Sequence, residues 1–590
     1  MLKHVIMRRF LAIAVISAVA FSLACTQLRS PEPEQYFSRQ QPPVPRELRW
    51  TNGKLPKTVD PALAAAAPDI DVSRAIFEGL TDLDPVTLDP VPAIAESWIP
   101  DNDYRTWTFT LREGAKWSNG TNLTAEDFVR SWRRVAELGE KAPHRDLMAN
   151  IVGFSQTPPA DPTEAADETG LLDASPDEEV SPTPESTATP AAAPSPSPQA
   201  TPANGLEKKP ELGVVAIDAR TLQVTLIRPD KDLPKLVAHP VFRPVPGRSG
   251  GFDISKNPQQ IVTSGPFRIT SAGNDGVVLD REQNYWDLSS VKVDRVRFVP
   301  TQNAEKALEA YRNGEVDVVT NSEFSPAAVK LLEPYEDFRR TSYAALNFYE
   351  LNTKRVPFND RGVREALAIA IEREALTESE LGGSTRPAYS FTPFSPAGAK
   401  LLVSDAARAR ELLESAGYPN GDGFPVIRLL INRNETQQRI AKAVARMWKS
   451  NLNIETEIVV MEPDQLTAAK EAGDYDAIRK GLVMPTPNEA ANFMAMFQDD
   501  AAEWTGANGR SEFSPSSPTL SLQPGATPDP LAGHAPLLTE EAALFELPGI
   551  PLYFPTSYSL VKPYVKGFDV NSLDAPLLKR VEIDSNWKAK

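Results

Sequence analysis

Side chains able to do covalent or metal chemistry are scarce in this chain. Its 590 residues include one Cys and four His. The histidines, His4, His144, His239 and His534, are scattered, and His4 falls in a segment that reads as an export signal. One Cys excludes an intramolecular disulfide and any multi-cysteine metal site. No HExxH, GxSxG or GxxxxGKS/T pattern occurs, so the commonest metallohydrolase, serine-hydrolase and NTPase signatures are missing. The 62 basic and 79 acidic residues leave a formal charge of −17, which disfavours nucleic-acid binding because polyanions need a basic face. These residues give no sign of catalysis and no call for a cofactor.

The single Cys is informative by position. Lys3, Arg8 and Arg9 form a basic start, and residues 10–24 are apolar apart from Ser17 and Ser22. That run is short for a membrane span, which needs about 20 residues, and reads as a signal peptide. Cys25 follows directly, where its position resembles the lipidation cysteine of bacterial lipoproteins. Ser22 before Leu23 departs from the usual order there, and the alternative is a cleaved signal with an incidental Cys. Residues 26–46 are polar and proline-bearing, as a tether would be.

The elements that must position any site alternate strands with helices. In residues 104–134, Trp107, Phe109 and Leu111 alternate with Thr106, Thr108 and Thr110, the period of a strand with one buried face. Asn119-Gly120 is a turn dipeptide. Thr124 stands three residues before Asp127, a capping-box-like start for a helix that buries Phe128, Val129, Trp132 and Val135. Residues 296–300, 304–311 and 315–319 read as strand, helix and strand, which predicts an α/β lobe. From about 345 the pattern repeats. Val363, Ala366, Leu367, Ala370 and Ile371 keep the spacing of a buried helix face. A further helix spans about 406–416, and Ile440, Val444, Met447 and Trp448 form another stripe. Such stripes are core.

Two stretches break the pattern. Residues 157–202 hold 11 Pro and nine Asp/Glu with no Lys, Arg or aromatic residue. They lack the apolar surface to offset the entropy of ordering, so an insertion without fixed structure is expected at 157–205. Residues 511–536 are a second proline-rich, low-complexity stretch.

Three strings carry a family resemblance: TFTLREGAKWSNG at 108–120, FNDRGVREALAIAIERE at 358–374 and LVKPYVKGF at 560–568. With Ser73 to Leu80 and Pro92 to Trp98, the chain resembles oligopeptide-binding proteins over about nine-tenths of its length, insertions set aside. These are the family 5 extracytoplasmic solute-binding subunits of peptide ABC importers. The resemblance implies an α/β, two-lobed periplasmic-binding-protein-like fold of class II with an additional subdomain, two crossing strands between the lobes, and ligand enclosed between them. It assigns 47–77, 212–344 and 548–590 to lobe I, 78–211 to an accessory subdomain, and 345–547 to lobe II.

It also implies a site. One ligand wall would be Ala65 to Ala67, the other Asp476 to Val483. Gly481 and Val483 would offer main-chain hydrogen bonds to an extended peptide, Arg479 matches the family's basic residue just upstream, and Lys470 falls where a cation would meet the peptide carboxylate. Plain alternatives are a structural ion pair for Arg479 and a solvated helix charge for Lys470. Family members commonly place an Asp after this strand to pair with the peptide's α-ammonium, and Pro485 stands there instead. Either Glu489 substitutes from a shifted loop, or the ligand lacks a free α-amino group, or transport capacity is reduced. Otherwise Glu489 is a plain surface carboxylate.

The implied partners are short peptides, an ABC importer permease, and the membrane through a lipid on Cys25, for an exported monomer. Two further readings stay open: a relative turned sensor or scaffold for another ligand, and an extracytoplasmic hydrolase, which the missing motifs oppose. Nickel or haem binding, known among wider relatives, is weakly supported by four His.

Overall fold

The structure is a computed structural model that describes residues 35–38, 42–43, 46–156, 211–247, 254, 257–394, 402–497, 539–569 and 571–588. The signal segment with Cys25, most of the expected tether, the insertion at 157–205 and the stretch at 511–536 lie outside these. Of the tether, Gln35 to Ser38 rest on the fold: Phe37 lies 5.4 Å from the Tyr335 ring, and its N–H donates to Asp337 Oδ1 at 2.9 Å.

β1 (Glu47–Thr51) opens the first lobe and α1 (Asp69–Ile76) leads out of it. The accessory unit contains β2 (Ala95–Pro100), β3 (Thr106–Leu111), α2 (Ala125–Leu138), β4 (Val214–Ala216) and β5 (Thr221–Thr225). In β3, Trp107, Phe109 and Leu111 are buried and the threonines between them half-buried, as a two-residue period dictates. The capping box forms: the Thr124 N–H donates to Asp127 Oδ2 at 2.8 Å, and Phe128, Val129, Trp132 and Val135 turn inward. The four strands form one sheet in the order β2-β3-β5-β4. A boundary at 211 would cut this sheet, because β3 pairs with β5, Phe109 opposite Leu222. Its backbone groups need that partner, so the unit runs on past 211.

The main sheet has twelve strands, one of them the three-residue strand Thr385–Pro387 that pairs antiparallel with Tyr553 to Pro555. In chain order it adds β6 (Phe267–Gly273), β7 (Gly276–Arg281), β8 (Arg295–Phe298), β9 (Val318–Val319), β10 (Phe338–Ser342) and β11 (Ala345–Leu351). It continues with β12 (Ile427–Asn432), β13 (Thr456–Met461), β14 (Ala477–Val483) and β15 (Gly549–Val561). Helices α3 (Ala304–Asn313), α4 (Arg361–Ile369), α5 (Ala406–Ser415), α6 (Glu435–Leu452), α7 (Pro463–Glu471), α8 (Glu489–Phe497) and α9 (Glu540–Glu546) alternate with these strands. The main path runs β13-β12-β14-β11-β15-β9-β1-β8-β7-β6, with β10 on β15. β12 is parallel to β13 and β14, as helical crossovers require.

Two segments cross between the lobes. β10 continues through Tyr343 and Ala344 into β11, and β15 runs antiparallel to both, Phe338 opposite Leu560 and Glu350 opposite Gly549. β15 therefore belongs to both halves. Ile550, Leu552 and Tyr553 pack in the second-lobe core with Leu367, Leu429 and Trp448, whereas Val561 joins the core of Trp50 and Val296. A division at 548 separates chain segments but not packing.

Candidate ligand-binding site

β14 is a strand paired along only part of one edge. On one side it lies antiparallel to β11 over its whole length, Gly481 opposite Asn347 and Val483 opposite Ala345. On the other side β12 covers only Ala477 and Ile478. The Met484 N–H donates to the Ala344 carbonyl at 2.7 Å, which sets the parity of the ladder. Lys480 and Leu482 turn their backbone groups to β11, so those of Arg479, Gly481 and Val483 face the uncovered side. Among the described residues no hydrogen bond reaches the main chain of Gly481 or Val483 from that side. Both residues are exposed, Val483 by 55%. The edge can accept an extended chain by strand addition.

Arg479 shares the face of Gly481 and Val483, since strand side chains alternate. Its Nη2 donates to Asn347 Oδ1. Gln437, at the start of α6, donates to the Tyr553 hydroxyl at 3.1 Å and reaches Asn347 Oδ1 at 3.5 Å. Among the described residues no carboxylate pairs with Arg479, and its Nε has no acceptor. Burial lowers the pKa of this guanidinium, and the neighbouring Tyr553 and Tyr349 oppose that shift. A Cβ on Gly481 would fall 2.8 Å from Arg479 Nη2, so the absent side chain lets the guanidinium lie along the strand. A half-buried cation without a counter-charge beside an open strand edge suits an anionic group on a bound chain.

The other expected site residues are placed differently. Lys470, on α7, turns to the opposite face of the sheet, where its Nζ lies 3.9 Å from Glu350. Glu350 is buried and also takes Lys480 at 2.5 Å and the Tyr475 hydroxyl at 3.0 Å. The structure thus separates Lys470 from Arg479. Glu489 accepts the Glu540 N–H at 2.7 Å, at the start of α9. It is half-buried and occupied in holding that helix, so it is not a plain surface carboxylate. Pro485 lines a junction cavity of about 20 Å³ with Arg74, Asp82, Lys235 and His239. Ala65 is exposed and Ala67 half-exposed, and the Ala65 carbonyl lies 2.8 Å from His144 Nε2. Sequence reasoning missed Asn347, Gln437 and Tyr553 as neighbours of Arg479. The available signal was a polar Asn between the apolar Leu346 and Phe348 of β11.

Two α/β lobes bridged by paired crossing strands, with an accessory sheet on one of them, are the architecture of a periplasmic binding protein. The chain belongs to the bacterial extracellular solute-binding proteins, family 5, whose model matches residues 89–504. It is 30% identical over 534 residues to the periplasmic murein peptide-binding protein MppA of Escherichia coli, covering 88% of this chain and 89% of that one. It is 28% identical over 584 residues to the periplasmic oligopeptide-binding protein OppA of Salmonella typhimurium, covering 96% of each. Among solved structures, the unliganded open form of MppA superimposes with a TM-score of 0.69 at 26% identity, over 92% of this chain and 99% of that one. Another structure of the Escherichia coli murein tripeptide binding protein gives 0.54 at 25% identity, over the same shares. Among the described residues no helix is long and apolar enough to cross a membrane.

Proposed function

We propose that this protein binds short peptides outside the cytoplasm and hands them to the permease of an ABC importer, without catalysing a reaction. The observation that carries this reading is the open edge of β14, with Arg479 lacking a carboxylate partner beside Gly481 and Val483. Extended peptide backbone would pair with Gly481 and Val483, its carboxylate would meet Arg479, and Ala65 and Ala67 would form the facing wall. Lys470 contributes through Glu350 and Lys480 behind the strand. The relatives named for oligopeptides and murein peptides support the peptide class.

The bond from the start of α9 to Glu489 speaks against the first of the three alternatives for the amino end and leaves a ligand without a free α-amino group or a reduced transport capacity. Cys25 would carry a lipid that holds the protein at the membrane, and Cys25→Ser protein would then no longer partition with membranes.

The deciding experiment is mass spectrometry of ligands released from natively purified residues 26–590. Short peptides are expected, and added peptide at 100 times its Kd should stabilise the fold by about 2.7 kcal/mol. If no peptide co-purifies and peptide mixtures leave the melting temperature unchanged, the reading is wrong, and a sensor or scaffold for another ligand takes its place.

A further inference from the structure

We propose that Asn488 and Asp230 form a clasp that holds the ligand-facing strand against the accessory unit, with Asn488 as a positioning residue for the cleft. Asn488 lies between β14 and α8, five residues past Val483. Asp230 follows β5, in the core that contains Trp107 and Phe109. The Asn488 Nδ2 donates to Asp230 Oδ2 at 2.9 Å, and the two residues are 0% and 5% exposed.

Each partner is held at both ends of its polar group. The Asn488 Oδ1 accepts the Ala491 N–H at 2.8 Å and caps α8, so the amide serves the helix with one end and the other lobe with the other. Asp230 Oδ1 accepts the Asp232 N–H at 2.8 Å, and its carbonyl accepts Trp107 Nε1 at 3.2 Å. Thr486 is also buried, and its carbonyl accepts Asn492 Nδ2 at 2.9 Å, which stiffens the loop. From α8, the Met496 carbonyl accepts Lys480 Nζ at 2.7 Å, returning the chain of contacts to β14.

The accessory unit also holds the facing wall, because His144, beyond α2, bonds the Ala65 carbonyl. Both walls thus take their position from one body, through His144 on one side and Asp230 on the other. A desolvated amide–carboxylate bond is among the stronger single hydrogen bonds, and breaking it leaves a buried carboxylate short of a donor. The clasp works beside the crossing segments β10–β11 and β15 and limits how far the lobes part when no ligand is bound.

The test uses the full chain carrying Cys25→Ser, with spin labels on Val86→Cys in the accessory region and Val403→Cys in the second lobe. Both positions are exposed, at 74% and 51%. Asn488→Asp keeps the oxygen that caps α8 but sets two carboxylates against each other. Adding Asp230→Asn to it restores the bond with donor and acceptor exchanged. In ligand-free protein, Asn488→Asp should lengthen and broaden the inter-label distance distribution, and the exchanged pair should restore it. An unchanged distribution in Asn488→Asp, or failure of the exchanged pair to restore it, overturns the clasp. If Asn488→Asp does not fold, Asp230→Asn alone is measured, and unchanged distances there overturn it equally. The purpose of the clasp rests on the proposed binding role, whereas its existence is read without ligand. Should the wild type bind peptide, Asn488→Asp weakens that affinity about tenfold and the exchanged pair recovers it.

Discussion

Arg479 and His239 show how a buried ionisable group states its role through what it lacks. Arg479 has no carboxylate partner among the described residues. Replacing it with Met removes a buried cation and keeps an apolar stem, so the folded protein loses little. Arg479→Met should therefore weaken binding of peptides with a free carboxylate about tenfold or more, with an unchanged or higher melting temperature, as titration calorimetry and thermal melts would show. Glu489→Gln is the matching control. Its carboxylate serves α9, so peptide affinity should stay as in the wild type. A clear loss would return Glu489 to the ligand.

His239 is buried, its Nδ1 accepts the Val241 N–H at 3.2 Å, and among the described residues its Nε2 has no partner. Burial first, then His144, Arg74 and Arg243, hold its pKa well below the ordinary 6.5. The unfolded chain takes up a proton near pH 6.5 and the folded chain does not. This contribution to stability is thus complete above 6.5 and falls as pH drops below it, by up to about 1.4 kcal/mol per unit. Asp230, pushed up to about 6 by burial, has the opposite sign: it loses stability as pH rises from 3.8 to 6. The histidine is isolated by comparison with His239→Asn, which keeps an acceptor for Val241. The stability gap between the two proteins should narrow as pH falls from 7 towards 5.5, and a constant gap in denaturant titrations would contradict this.

Among the elements, the clearest cases are those with both a period and a punctuation mark. β3 and α2 follow from alternating threonines, a turn dipeptide and Thr124 three residues before Asp127, and all of these occur as expected. Thr124→Ala should cost about 1 kcal/mol in the unfolding transition that contains the accessory core, read by urea titration, without altering ligand affinity. β14 is the contrasting case. Its residues alone do not say that pairing with β12 ends at Ile478, and that early end leaves the outer edge of Gly481 and Val483 without a strand partner among the described residues. The meeting of Arg479 with Asn347 and Gln437 joins three distant segments, which no local pattern reports.

For the whole molecule, the proposed peptide role predicts that ligand shifts the population towards a closed form. Small-angle scattering should show a smaller radius of gyration with peptide bound. Binding without contraction would mean that the cleft stays open. On that reading the lobes would close about β10–β11 and β15, the segments shared by both.

By itself the sequence determined the family, the alternation of strands and helices, the α2 cap and the scarcity of catalytic groups, because period, turn chemistry and composition are local properties. It also singled out Arg479 and Gly481, through a string of residues that resembles known relatives. Only the tertiary structure decided which charges are answered. It set Lys470 on Glu350 behind the strand, turned Glu489 to the start of α9, and left Arg479 without a carboxylate among the described residues. It likewise joined Asn488 to Asp230 across 258 positions. The physical reason is that electrostatic pairing depends on distance in space, and residues remote in the chain meet only when strands pair and cores pack.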